Sequence, residues 1–153
     1  MEKIASFTIN HDILEKGLYI SRVDGDVITY DVRMKKPNNG DFLQNAGLHT
    51  LEHLLAMYFR NTPQSNEVIY VGPMGCRTGF HILFRDSISA EQTIKLLQDA
   101  FAFARDFKGE IPGSTRKECG NYLDHDLKNA KEIAADMCHV LDGWTPEKMV
   151  YPK

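Results

Sequence analysis

Polar and apolar residues alternate in the first half of the chain in the manner of β-strands. The stretch ISRVDGDVITYDVRM, residues 20–34, predicts two strands joined by a turn at Asp24-Gly25-Asp26. In the second strand every other residue is apolar, which gives it one face suited to a core. That apolar face consists of Ile28, Tyr30, Val32 and Met34. Two more strand-like runs, NEVIYVG and GFHILFRD, enclose the glycine-containing loop GPMGCRTG.

Helical periodicity marks three segments. They are GLHTLEHLLAMYFRN, SISAEQTIKLLQDAFAFARDF and a last helix from about Asp124 to Leu141. Ser89 and Gln92 form a candidate capping box at the start of the second helix. Strands come early and helices late without regular alternation, which predicts an α+β fold with helices packed on a largely antiparallel β-sheet. The length of 153 residues is suited to a single domain over residues 1–153.

Composition and charge argue against a nucleic-acid-binding, membrane-spanning or secreted protein. Hydrophobic residues make up 42% and charged residues 25%, and the net charge is −3 with no basic block, so we expect no nucleic acid partner. No apolar run approaches the roughly 20 residues of a membrane span, and MEKIASFTIN lacks the apolar core of a signal peptide. Three cysteines, an odd number, suggest reduced thiols. A cytoplasmic protein that binds no membrane is therefore expected.

The first predicted helix carries one polar stripe on an otherwise apolar circumference. On a helical wheel, Glu52, His53, Ala56 and Arg60 lie within about 60° of His49. The remaining positions are apolar, so the helix should be mostly buried. Two histidines four residues apart can bind one ion, and HTLEH has the inverted-zincin spelling. These features favour a metal site over an ordinary solvent-exposed face.

A catalytic metal commonly needs a third protein ligand, and the spacing leaves its identity open. Four candidates lie in predicted strands or helices and are interpreted as structural or surface residues. They are His81, His125, Cys138 and His139. Cys76 and Cys119 lie beside glycines in loops, and Cys119 is expected just before the last helix, where amide dipoles favour a thiolate. Either cysteine could bind the metal.

Five blocks of the chain together resemble the S-ribosylhomocysteine lyase (LuxS) family. They are SFTINH, YDVRMKKPN, GLHTLEHLLA, GPMGCRTGF and ECGNYLDHDLKNAKEIA, in the order of the family. The resemblance implies that His49, His53 and Cys119 bind one divalent metal per subunit. Fe²⁺ is expected, and Zn²⁺ or Co²⁺ would also suit this donor set. It also implies a homodimer with active sites at the subunit interface.

The same resemblance implies the roles of further residues. Cys76 and Glu52 correspond to the acid/base residues of the family. Other active-site residues are expected at Arg33, Ser6 and His11, and substrate contacts at Phe7, Arg60 and Gly120. The implied reaction moves a carbonyl of S-ribosylhomocysteine by proton transfers and then eliminates homocysteine. The second product would be 4,5-dihydroxy-2,3-pentanedione, the precursor of autoinducer-2, which connects the methyl cycle with quorum sensing.

The sequence departs from the family pattern beside Cys76. Tyr70 stands where an aspartate that helps to hold substrate is expected, and Gly72 where a serine is expected. Met34 replaces a common phenylalanine, a packing change of little consequence.

Two other functions fit the HTLEH motif alone. In an inverted-zincin peptidase, Glu52 would activate water and a distant carboxylate, such as Glu110 or Glu118, would complete the ligand set. A non-catalytic metal-binding protein is the other alternative. A metal store would need neither Cys76 nor Glu52, so their presence favours the enzyme.

Overall fold

Four strands form one antiparallel sheet in the computed structural model, which describes residues 1–153. The strands are β1 (Gly17–Asp24), β2 (Val27–Arg33), β3 (Val68–Pro73) and β4 (Gly79–Arg85), arranged in the order β1-β2-β4-β3. The predicted turn joins β1 to β2, and Gly25 has a φ of 58° there, a conformation that glycine adopts without strain. The hairpin prediction is confirmed, although β1 begins three residues earlier than the predicted strand.

Three α-helices pack together and against one face of the sheet. They are α1 (Asn45–Arg60), α2 (Ala90–Asp106) and α3 (Leu127–Val140). Short 3-10 helices span Ala5–Phe7, Ser65–Glu67 and Pro146–Met149. The predicted capping box is confirmed, since Ser89 accepts from the Gln92 backbone N–H and Gln92 accepts from that of Ser89. None of the helices is both long and apolar enough to cross a membrane.

The last helix begins later than predicted. The Asp126 side chain accepts a hydrogen bond from the Asn129 backbone N–H and caps α3, whose first residue is Leu127. Cys119 is therefore eight residues before the helix, and the expectation that it lies just before a helix N-terminus is wrong. His125 precedes the cap and is not in the first turn of the helix.

The core lies between the helices and the apolar face of the sheet. Tyr30, Val32 and Phe80 from the sheet are buried with Leu51 and Phe59 of α1. Their alternation with polar residues in β2 has the period of a strand packed on one face. The predicted α+β fold, with helices on an antiparallel sheet, is confirmed.

The opposite face of the sheet holds buried charge. Asp31 lies opposite Tyr19 on β1 and opposite His81 on β4. Asp31 and Arg33 are only 1% and 3% exposed, although both lie on the face turned away from the helices. Tyr151 covers part of this face by stacking on Tyr19, with ring centroids 5.1 Å apart. This covered polar face forms one wall of the candidate site.

Candidate functional site

Four side chains from α1 and the loop before α3 converge on one point. The candidate ligand atoms of His49, His53, Cys119 and His125 all lie within 4.8 Å of one another. His49 and His53 are one helical turn apart, and their ring centroids are 4.7 Å apart. The Cys119 sulfur lies 3.5 Å from His49 Nε2. These four residues are called the metal group below, because two or three imidazoles and a thiolate suit a divalent transition metal.

Backbone carbonyls orient the two helical histidines for metal binding. His49 Nδ1 lies 2.7 Å from the Asp124 carbonyl oxygen, and His53 Nδ1 lies 2.8 Å from that of Pro112. A carbonyl can only accept, so each Nδ1 carries the proton and each Nε2 has a free lone pair. A Cβ on Gly113 would lie 3.2 Å from His53 Nδ1, and Gly113 has a φ of 66°. A larger residue at this position would therefore have a strained backbone and would crowd the His53 ring. The residues fit a metal ion.

His125, which its sequence pattern assigns to a structural or surface role, is a member of the metal group. Its ring stacks on His49, with centroids 4.0 Å apart and an interplanar angle of 22°. Its Nδ1 lies 2.8 Å from the hydroxyl of the buried Thr50. Burial and the neighbouring His49 and His53 lower the pKa of His125. Asp126, a good N-cap residue, is the signal in the sequence that places His125 outside the helix.

A second group of predicted residues surrounds a cavity of about 290 Å³ on the polar face of the sheet. The predicted residues in its wall are Ser6, Phe7, His11, Arg33 and Cys76. The N-terminal segment, β2 and the loop between β3 and β4 thus meet at one place. Cys76 is exposed and its thiol is free. This cavity, with the residues that line it, is called the cysteine cavity below.

Arg33 is held in place by a buried hydrogen-bond network. Its Nε and Nη2 donate to the two carboxylate oxygens of Asp31 at 3.1 and 2.6 Å, and its Nη1 donates to Thr78 Oγ1 at 2.8 Å. Tyr151 donates its hydroxyl to the same Asp31 at 2.7 Å. Burial and the Asp31 charge raise the pKa of Tyr151, so it remains a donor at neutral pH. Cys76 Sγ lies 3.1 Å from Thr78 Oγ1. Because Arg33 donates to this oxygen, the Thr78 hydroxyl proton is free to be donated to sulfur.

His81, which its sequence pattern assigns to a structural or surface role, also lines the cysteine cavity. Phe80, Ile82 and Phe84 are buried in the core, so the alternation in β4 directs His81 to the other face, beside Asp31. Burial lowers the pKa of His81, and the Asp31 charge opposes this effect only in part. The strand alternation could have identified His81 only with knowledge of the strand order.

Three predicted site residues lie outside both groups. Glu52 is half-buried on α1, Gly120 is exposed in a turn, and neither lines the cysteine cavity. Arg60 is exposed and donates from Nη2 to the Ile69 carbonyl at 3.3 Å. Met57, expected on the buried apolar side of α1, is 44% exposed and lies beside the polar stripe. This part of α1 therefore presents both polar and apolar groups outward.

Tyr70 and Gly72, the two residues beside Cys76 that differ from the expected family residues, contact each other. Tyr70 and Gly72 lie two residues apart on β3, and a Cβ on Gly72 would collide with the phenol ring of Tyr70. The Tyr70 ring therefore lies over the glycine, and any side chain at residue 72 would have to displace it. The tyrosine and the glycine are a structurally coupled pair.

The metal group contains no carboxylate. Glu118 accepts a hydrogen bond from the Thr115 hydroxyl at 2.6 Å, and Glu110 is not a member of the group either. An inverted-zincin peptidase would need one of these acids as its third ligand. The geometry therefore favours the thiolate of Cys119 in that role.

Comparison with known proteins covers nearly the whole chain. Residues 4–148 match the family described as S-Ribosylhomocysteinase (LuxS). An S-ribosylhomocysteine lyase from Phocaeicola vulgatus is 46% identical over 158 aligned residues, which cover 99% of this chain and 98% of that protein. One from Clostridium acetobutylicum is 42% identical over all of both chains, and one from Porphyromonas gingivalis is 44% identical over 99% of each. Both residue groups fall within these matches.

Proposed function

The chain belongs to the S-ribosylhomocysteinase (LuxS) family, and we propose from this premise how its residues perform the S-ribosylhomocysteine lyase reaction. The reaction is a carbon–sulfur bond cleavage that releases homocysteine. Its expected second product is 4,5-dihydroxy-2,3-pentanedione, which would connect the enzyme to autoinducer-2 synthesis and the methyl cycle. The observation that carries the proposal is the convergence of His49, His53 and Cys119 within 4.8 Å, in a chain that also places Cys76 and Arg33 around one cavity.

We propose that His49, His53 and Cys119 bind one divalent metal ion per subunit, with Fe²⁺ as the expected ion. The two Nε2 lone pairs and the thiolate are three ligands, which leaves a coordination position open for catalysis. Zn²⁺ and Co²⁺ would fit the same donors. When bound, the ion supplies a Lewis acid that makes protons beside a sugar carbonyl more acidic.

Cys76 is proposed to move protons along the ribose carbon chain. Its sulfur would take a proton from the carbon next to the carbonyl and return it to the former carbonyl carbon. The hydroxyl proton of the first carbon passes to the former carbonyl oxygen in the same exchange, which moves the carbonyl by one position. Repetition brings the carbonyl to C3, where the proton at C4 becomes acidic enough for loss of the homocysteine thiolate from C5. The Thr78 hydroxyl lies 3.1 Å from this sulfur and is itself held by the Arg33 guanidinium, so it would fix the position of the thiol at the cavity wall. Glu52 is the second proposed acid/base residue.

The N-terminal segment is proposed to hold the substrate. Ser6 and His11 would supply hydrogen bonds to sugar hydroxyls in the cysteine cavity, and Phe7 would cover the substrate with its ring, which is 70% exposed in the isolated chain. Arg60 and Gly120 are further proposed substrate contacts. Neither residue lines the cysteine cavity, so we propose that they contact the substrate across the subunit interface.

We propose a homodimer with active sites between its subunits. The metal group and the cysteine cavity share no residue, so a substrate that needs both would be held where the two groups of different subunits face each other. Apolar side chains that a second copy would cover are exposed; they include Phe7, Met57, Tyr70 and Leu123. Their burial at an interface would also remove apolar surface from water.

The proposed reaction requires a reduced thiol at Cys76. All three cysteines are free, and Cys76 is exposed to oxidants. We therefore propose that the enzyme acts in the cytoplasm, where thiols remain reduced.

Thiol release from S-ribosylhomocysteine, followed with Ellman's reagent, tests the function. Anaerobically purified wild-type protein should release homocysteine and should not hydrolyse casein. Cys76→Ala should retain its metal and lose activity by about 10²–10⁴-fold or more, the typical effect of removing a general base. Cys119→Ala should lose both metal and activity. Wild-type turnover by Cys76→Ala would refute the role of Cys76, and hydrolysis of casein without thiol release would refute the lyase.

A further inference from the structure

The metal group contains four candidate ligands, and hydrogen bonds distinguish among its histidines. A neutral imidazole binds a metal through Nε2 only if the proton is on Nδ1. The hydrogen-bond partner of Nδ1 determines which ring nitrogen carries the proton. A carbonyl accepts the Nδ1 proton and frees Nε2, whereas a hydroxyl that donates to Nδ1 leaves the proton on Nε2. His49 and His53 both have carbonyl partners.

His125 has a hydroxyl partner instead. Thr50 Oγ1 lies 2.8 Å from His125 Nδ1, and it also accepts a hydrogen bond from the Asp126 backbone N–H at 3.0 Å. A backbone N–H always donates, so the Thr50 oxygen is the acceptor in that bond and its own proton remains available. Thr50 is completely buried, and the only acceptor within hydrogen-bonding distance of its hydroxyl is His125 Nδ1. Thr50 therefore donates to Nδ1, and the proton of the neutral ring is on Nε2.

The Nε2–H of His125 faces the sulfur of Cys119. The N···S distance is 3.9 Å, at the outer limit of an N–H···S hydrogen bond. Stacking on His49 fixes the plane of the His125 ring and holds Nε2 toward the sulfur.

We propose that His125 is not a metal ligand but a positioning residue that donates an Nε2–H hydrogen bond to the Cys119 thiolate. This inference rests on the proposed metal site at His49, His53 and Cys119. The hydrogen bond withdraws electron density from sulfur and so weakens its donation to a bound ion, which leaves the ion a stronger Lewis acid. It also leaves the fourth coordination position open to substrate.

Nuclear magnetic resonance of the wild-type protein measures the proton positions directly, and a variant is needed only to assign the signals. In zinc-loaded protein labelled with ¹⁵N-histidine, long-range ¹H–¹⁵N correlations should show Nδ1–H rings for His49 and His53 and an Nε2–H ring for His125. The His125 signals are identified by their absence from the spectrum of His125→Gln. An Nδ1–H pattern for His125, with Nε2 bound to zinc, would overturn the proposal.

Cobalt substitution tests the hydrogen bond itself. His125→Phe keeps a ring that stacks on His49 but has no N–H, whereas His125→Gln retains an N–H donor. Both variants should bind one cobalt per chain with affinity within about tenfold of wild type. The sulfur-to-cobalt charge-transfer band should move to longer wavelength in His125→Phe, because the thiolate loses its donor, and should stay closer to the wild-type position in His125→Gln.

The outcomes separate this inference from the proposed function. Loss of cobalt from His125→Phe, with wild-type protein fully loaded, would make His125 a ligand and overturn only the inference. An unchanged charge-transfer band in His125→Phe would likewise overturn only the hydrogen bond. Wild-type protein that binds neither zinc nor cobalt would overturn the proposed metal site and the inference with it.

Discussion

Replacement of Thr78 by valine should weaken both folding and catalysis, because one buried hydroxyl serves two partners. Thr78 is 2% exposed; it accepts from Arg33 Nη1 at 2.8 Å and lies 3.1 Å from Cys76 Sγ. Valine has nearly the same shape but leaves the Arg33 N–H without an acceptor. A hydrogen bond to a charged group contributes about 1.5–3 kcal/mol, so the free energy of unfolding should fall by about 2 kcal/mol.

The expected effect on catalysis is smaller. Cys76 loses one hydrogen bond from a neutral donor, worth about 1 kcal/mol. Because about 1.4 kcal/mol corresponds to a tenfold change in rate, thiol release should slow by about fivefold, with a larger loss if the sulfur also moves. The fall should appear in kcat rather than in KM, since the hydroxyl supports the base and is not in the cavity lining.

Urea unfolding and Ellman's assay on the same preparations measure the two effects. Thr78→Ser is the matched control, because it keeps the hydroxyl and loses only a methyl group. It should stay within about threefold of wild-type activity. If Thr78→Val retains wild-type kcat and unfolds within about 0.5 kcal/mol of wild type, Thr78 connects neither Arg33 nor Cys76 to function and the hydrogen-bond argument is refuted.

Three more predictions concern the assembly, the pH dependence and the substrate. Sedimentation should give about twice the 17.4 kDa chain mass, and mixed Ser6→Ala and Cys76→Ala proteins should regain some activity; a fully active monomer would contradict the dimer. Burial lowers the pKa of His81 in the folded protein below its value of about 6.5 in the unfolded chain. The stability that neutral His81 contributes is therefore present above pH 6.5 and is lost as the pH falls below that value, by at most about 1.4 kcal/mol per pH unit. His81→Gln should therefore show a smaller fall in its urea midpoint between pH 7.5 and 5.5; equal falls would contradict this. Tyr70→Asp combined with Gly72→Ser, which restores the expected family residues, should lower KM several-fold with less change in kcat; an unchanged KM would show that the pair does not affect substrate binding.

The secondary structure could be predicted where local chemistry determines it. The alternation around Tyr30 identified β2, and the Ser89–Gln92 capping box identified the start of α2. The sequence does not determine the start of α3, because several polar residues before it are possible caps. The hydrogen bond from the Asn129 backbone N–H to Asp126 shows that Asp126 is the cap.

In the candidate site, too, residues placed by local spacing could be predicted, and residues placed by the tertiary structure could not. His49 and His53 could be paired from their spacing because one helical turn brings them together. His125 and His81 could not be placed, since their neighbours depend on the path of a loop and on the order of strands. The resemblance to the family supplied the choice between Cys119 and Cys76, which spacing alone left open.

The separation of the metal group from the cysteine cavity has an evolutionary consequence. The metal group lies on α1 and the loop before α3. The cysteine cavity is lined by the sheet, the loop between β3 and β4 and the two chain termini. Because the two groups share no residue, a substitution that changes the lining of the cavity need not change a metal ligand. The coupled pair Tyr70 and Gly72 lies on a strand of the sheet and includes none of the proposed metal ligands. Divergence in substrate preference within this architecture can thus proceed on β3 and β4 without passing through an ancestor that has lost its metal.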